Sequence, residues 1–196
     1  MSIIRNLLAL IGLAVLVLII IGIVRYSNLV KLATDLDPKA GSVYLEMANN
    51  LAKTGNAAEA TIWKKQVNEG MTPDDVEDVM KSVASEHNIK NVGELPLYQQ
   101  VASMSGKPYR YAKIFMFCDA LTASRMMDYS DAFSAYLPCR VSLIEDKTTG
   151  KLWIYTLNMD LMIYGGKTLP PALKKEAEQV KMIITDIMNR GATGEF

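Results

Sequence analysis

The sequence predicts an α+β domain carried behind one membrane-spanning helix. Three observations carry this: an uncharged apolar run near the amino terminus, two period-two segments joined by a short turn ending in glycine, and a series of amphipathic helical stripes. The chain has 196 residues, which beyond the apolar run leaves one core and a short helical neck. Hydrophobic residues make up 50% and charged residues 21%, a balance that excludes a disordered chain. Lys plus Arg equals Asp plus Glu at 21 each, with no basic cluster, so nucleic acid is not the expected partner.

Residues 7–24 read LLALIGLAVLVLIIIGIV, a run that at about 1.5 Å per residue approaches the roughly 30 Å hydrocarbon thickness of a bilayer. Arg5 and Arg25 bracket it. A core helix of this length would show a polar face, and this one shows none. The run is also long for a signal peptide and is followed by RYSNLVK, which offers no small-x-small cleavage site, so it reads as a retained single-pass anchor in lipid. Arg5 stands on one side while Arg25 and Lys31, offset by Asp35 and Asp37, stand on the other, so charge barely sets the orientation. A short tail before a first apolar segment favours a cytoplasmic amino terminus. That places the domain on the periplasmic side of a bacterial inner membrane. Residues 1–36 are the anchor and linker helix, with helix expected to continue through residues 28–32.

Residues 37–72 are expected to form a helical hairpin that serves as the neck. Asp37-Pro38 starts a helix that runs to about Lys53, with Val43, Met47 and Leu51 on one face and Gly55 as its C-cap. A second helix over 57–69 would present Ala60, Trp63 and Val67. This hairpin resembles one tetratricopeptide unit in its spacing of Tyr44, Ala48, Leu51, Gly55 and Ala60. A single such unit cannot bury its own apolar face, so it must pack on this chain or on a partner.

Residues 73–196 are expected to form the α+β domain. Thr72-Pro73-Asp74-Asp75 caps a helix whose stripe is Val76, Val79, Met80, Val83 and Ala84. An irregular stretch around Asn91–Pro96 and a short piece LYQQVASM follow, ending at Gly106-Lys107-Pro108. Residues 109–118 suit a strand, and Asp119 caps a helix that would carry Leu121, Met126 and Met127 inward. CRVSLIED and KLWIYTLNM, joined by KTTG, form an antiparallel hairpin. The last helix begins at Thr168-Leu169-Pro170-Pro171 and ends near Asn189, before Gly191, with Leu173, Ala177, Val180, Ile184, Ile187 and Met188 facing the sheet. The far face of the sheet is left exposed or covered by a second copy.

Taken together, YRYAKIFMFCDA, the Met-bearing helix, YLPCRVSLIED and KLWIYTLNMDLMI are similar to the domain of unknown function 302 family, in a membrane-anchored subtype. Leu137-Pro138-Cys139 keeps the family pattern, whereas Cys118-Asp119-Ala120 replaces its Cys-Asn-Pro. The resemblance implies a TATA-box-binding-protein-like antiparallel sheet packed by helices on one face, often dimeric, with no established reaction. It supplies no mechanism, which must come from a site.

Cys118 and Cys139 are the only cysteines and form a candidate thiol pair at two strand ends. A disulfide, a reactive thiol at Cys139 beside Arg140, and plain core packing all remain open. Met159, Met162 and Tyr164 leave the sheet where a ligand or partner surface is expected. The alternative for them is core closure beneath the last helix. Twelve methionines and the single His87 show no metal-binding run, so no metal is expected, nor any cofactor. The carboxylates form no forced pair, the serines lack a histidine partner, and Gly165-Gly166-Lys167-Thr168 lacks the spacing of a phosphate loop. Catalytic residues are therefore not assigned. The first expectation is an accessory subunit whose partners are integral membrane proteins or a second copy. The alternatives are a thiol-dependent redox or sulfur-handling protein, and a carrier of a lipid, quinone or haem.

Overall fold

The computed structural model describes residues 2–26, 31 and 34–196. Most of the helix expected over residues 28–32 lies outside the described residues. Helix α1 (Ser2–Arg25) is long and apolar enough to cross a bilayer, and its span Ile4–Arg25 has no buried residue. The neck helix α2 (Ala40–Thr54) ends as expected at Gly55, whose φ of 64° suits the left-handed C-cap. Only Ala40 and Val43 of α2 are buried, while Leu51, expected on its packing face, is exposed.

The predicted second neck helix is corrected. Helix α3 covers only Ala57–Ala60, and the chain then enters strand β1 (Ile62–Gln66). Thr61, Ile62 and Trp63 favour extended backbone, and period two puts Trp63, Lys65 and Val67 on one side, so pairing with a sheet edge wins over helix. The tetratricopeptide resemblance therefore stops at Ala60.

The rest of the chain supplies α4 (Pro73–Glu86), β2 (Lys90–Leu95), α5 (Leu97–Ser105), β3 (Ala112–Cys118) and α6 (Ala120–Tyr129). A short 3-10 turn (Asp131–Ala135), β4 (Cys139–Glu145), β5 (Leu152–Leu157), α7 (Asp160–Tyr164) and α8 (Pro171–Thr193) complete it. All pairings are antiparallel in the order β1-β5-β4-β3-β2. Thr72 and Asp75 form a full capping box on α4. The β4–β5 hairpin and the stripes of α4 and α8 form as the sequence predicts. Strand β2 was read as irregular because Asn91, Gly93 and Pro96 are turn residues. They are tolerated here because β2 is an edge strand with a bulge between Asn91 and Gly93.

Helices α4 and α8 cover one face of the sheet. Between them lie Phe115, Phe117, Val141, Leu143 and Ile154 of the strands and Ile184 and Ile187 of α8, all fully buried. Each such side chain stabilises the fold by about 1.5–3 kcal/mol. One polar cluster interrupts this layer. Glu77 of α4 is buried and accepts hydrogen bonds from Tyr111 and from Lys113 (2.6 Å) and Lys81 (3.1 Å). Burial alone pushes its carboxyl upward, but these three donors win and hold it below the ordinary carboxylate value. Glu94 of β2 closes the network on the same two lysines.

Helix α8 runs past its expected end through Gly191, which is buried. A Cβ there would lie 2.7 Å from Met80 Cγ and 3.2 Å from Ile154 Cδ1, so the helix comes this close to α4 and β5 only because residue 191 has no side chain. Gly191→Leu should lower stability by about 1–3 kcal/mol through overpacking, although helix propensity alone favours it by almost 1 kcal/mol. Urea unfolding of the full chain in detergent reads the sign; a higher midpoint in the variant would contradict this packing.

Candidate functional site

The sequence candidates divide between two places joined by α7. The first is a small apolar cavity at one end of the sheet, and the second is the seat of the neck.

Five segments meet at the cavity. Phe117 and Cys118 end β3, and Cys139 begins β4 after a cis Leu137–Pro138 peptide. Met126 descends from α6, and Met159, Met162 and Ile163 come from α7 and the residue before it. Ala177 and Val180 of α8 close the back. Helix α6 faces inward through Thr122, Ala123 and Met126, so Leu121 and Met127, expected inside, are exposed instead. The cause is helical phase: the buried positions are three and four apart from Met126, and Leu121 and Met127 fall off that face. Asp119 caps α6 by accepting from the Thr122 amide at 2.9 Å. Its oxygen therefore serves the helix. The free space is about 40 Å³, room for a few atoms.

The two cysteines carry no disulfide. Register explains it: Cys139 pairs with Phe117, not Cys118, so Cys118 is one residue out of step and leans toward the other face of the sheet. Arg140 likewise points away from Cys139, and its guanidinium does not activate that thiol. Burial, with a smaller contribution from Cys118, pushes the Cys139 thiol up to about 11. Burial also raises Cys118, which is only partly covered. A neutral Cys139 is a poor nucleophile at neutral pH.

Tyr164 does not line the cavity. It is buried one residue beyond it, its hydroxyl donating to Glu178 at 2.8 Å. Burial and that carboxylate raise its phenol well above the ordinary value. Lys39, Lys174 and Lys181 stand 4.4, 5.1 and 5.4 Å from its ring centre. Around this ring the neck is seated. Lys174 donates to the buried Asp37, the Asp37 amide donates to Gly166 O at 2.9 Å, and Tyr44 Oη donates to Gly165 O at 2.6 Å. Leu36 bridges to Lys167, and Lys167 pairs with Asp35. The Gly165-Gly166-Lys167 segment is thus a docking turn for the neck.

With this geometry in hand, a family model, the domain of unknown function DUF302, matches residues 63–191. The chain belongs to the DUF302 family. A crystal structure of an uncharacterised conserved DUF302 protein from Bacillus stearothermophilus has the same fold, with a TM-score of 0.54 at 13% identity. The match covers 66% of this chain and 97% of that one. No curated protein is similar enough to count as a match. The DUF302 match begins at Trp63, the second residue of β1, so the strand missed in the sequence is also where the family's domain starts.

Of the sequence candidates, Cys118, Cys139, Met159 and Met162 come together and Tyr164 serves the neck. Met126, Phe133 and Leu137 are cavity residues that the sequence reading did not join to them. Their signal was faint: Leu137 and Cys139 flank one proline, but nothing in the spacing brings α6 to that point.

Alkylation checks the thiol assignment. At pH 7.5, iodoacetamide should modify Cys118 well before Cys139, and the Cys139 rate should keep rising through pH 9 toward 11, as read by peptide mass spectrometry. Cys139 reacting as fast as an exposed thiol at pH 7.5 would refute its burial as a neutral group.

Proposed function

We propose that this DUF302 chain is a non-catalytic accessory subunit of a membrane protein complex, held by α1 and docking a neighbouring integral membrane subunit through the open face of its sheet. In this reading the membrane is a bacterial inner membrane with the domain on the periplasmic side.

The observation that carries it is the composition of the sheet face away from α4 and α8. Cross-strand register lays out a row Gln66, Trp153, Ile144 and Ala112, and beside it a row Lys64, Tyr155, Ser142, Ile114 and Leu95. Ile62 and Leu157 extend the surface toward β1, and Met116 lies across Gly93 on the β2 side. Apart from Lys64, which is exposed, and Ala112, which is buried, these residues are half-buried. A soluble face of an antiparallel sheet normally alternates to polar residues, so a face on which Trp153, Tyr155, Ile144, Ile114, Met116 and Leu157 outnumber Lys64, Gln66, Ser142 and Arg140 points to a partner. Docking by strand addition fits less well, because the β1 edge carries Lys64 and Lys65 and the β2 edge is bulged. Ten residues separate Arg25 from the docked Leu36, and the eleven Cα–Cα steps between them keep the domain within about 40 Å of the bilayer.

The alternatives draw less support. A thiol enzyme needs an activated sulfur, and Cys139 is pushed the other way. A lipid, quinone or haem needs several hundred Å³ of mostly apolar space; the apolar cavity holds about 40 Å³, and a larger hollow of about 470 Å³ is open and lined by polar and charged residues such as Glu46, Asn50, Lys64 and Asn189.

The double variant Trp153→Asp, Ile144→Asp should retain α1-dependent membrane association and cooperative unfolding while losing its co-purifying membrane proteins. Undiminished co-purification by the folded variant would contradict docking through this face.

A further inference from the structure

The cavity poses a question that the docking face does not answer: five sulfur-bearing residues from four separate stretches of chain line one small space, Cys118 at its margin. They are Cys118, Met126, Cys139, Met159 and Met162. Met126, Cys139 and Met159 are themselves buried, at 7%, 8% and 5% exposure. Methionine fills irregular cores, but there it leaves no room; here about 40 Å³ stays open in the space these residues line.

That space and its walls select a class of occupant. It is too small for an organic ligand and large enough for one ion. Hard cations require oxygen ligands, and the one carboxylate at the cavity, Asp119, caps α6. Among the described residues no group of three or more His, Cys, Asp or Glu side chains gathers to hold an ion such as zinc. Thiolate and thioether donors remain, and these prefer a soft metal. Charge decides the valence. Cys118 leans toward the other face of the sheet, which leaves Cys139 as the one thiolate donor; one thiolate and a monovalent ion make a neutral pair in an apolar site, whereas a divalent ion would leave a costly net charge there.

We propose that the cavity is a copper(I) site in which Cys139 supplies the thiolate and Met126, Met159 and Met162 supply thioethers, with Cys118 at its margin. On binding, the Cys139 S–H bond breaks, an S–Cu bond forms, and the proton leaves to solvent. Copper stays in the +1 state, so no oxidant or reductant is consumed. This site is independent of the docking face: it shares no side chain with the Trp153 and Tyr155 rows, and either assignment stands without the other.

The test uses the full chain in detergent, kept reduced and oxygen-free, and titrated with copper(I) against a chromophoric copper(I) chelator. One ion per chain should be withheld from the chelator, and the apparent affinity should rise about tenfold per pH unit, because one proton is released per ion. Cys139→Ser should abolish binding. Met159→Leu with Met162→Leu, which conserves volume and leaves the fold in place, should weaken it by at least tenfold. No copper withheld, a pH-independent affinity, or binding unchanged in the folded Met159→Leu, Met162→Leu chain would overturn the site; the last result would put the ion on exposed sulfurs such as Met104 or Met182.

Discussion

The contact between α8 and the sheet organises the domain, because it decides which face is core and which is surface. Five strands offer two faces, and two helices of the domain, α4 and α8, lie against them. Both go to the same side. Gly191 lets α8 sink against Met80 and Ile154, and Ile184 and Ile187 then fill the layer above Phe115, Val141 and Leu143. Once this side is packed, alternation along every strand forces Trp153, Tyr155, Ile144 and Ile114 outward. The apolar outer face is therefore a consequence of the same packing that stabilises the fold. Its chemistry is the chief reason to read the protein as a docking subunit.

A second constraint ties the domain to its anchor. The five residues of α7 face two ways: Met162 and Ile163 reach the cavity, while Tyr164 and the following Gly165 hold the neck. Asp37 is buried in this seat and would be costly there without Lys174. Burial pushes its carboxyl upward, but Lys174 and the Lys39 amide together hold it below the ordinary value, so Asp37 stays ionised near neutral pH. The neck is thus fixed to the domain at the turn that follows α7, the helix whose Met162 and Ile163 line the cavity.

Much of this was legible in the sequence, and the gaps have physical causes. The α4 capping box, the β4–β5 hairpin and the α8 stripe announce themselves because local preference and tertiary packing agree there. Strand β1 was hidden because Ala57–Ala60 starts a true helical turn, and only pairing of Ile62–Gln66 with β5 pulls the next residues straight. Strand β2 was hidden because an edge strand tolerates Gly93 and a bulge. Gly191 looked like a helix stop since its real role, a close approach to Met80, depends on residues more than a hundred positions away. The cavity was half legible: Cys118, Cys139, Met159 and Met162 stood out as residue types, but Met126 joins them only through the phase of α6. Glu77 and Asp37 gave no sign of burial, because their partners Lys113 and Lys174 are distant in the chain.

Native mass spectrometry of the protein released in mild detergent from the membranes in which it is made tests the central claim most directly. The account predicts a mass well above two chains, with integral membrane proteins as the additional components. A bare monomer or a simple dimer would contradict it, because the outer sheet face would then be bare or covered only by a second copy.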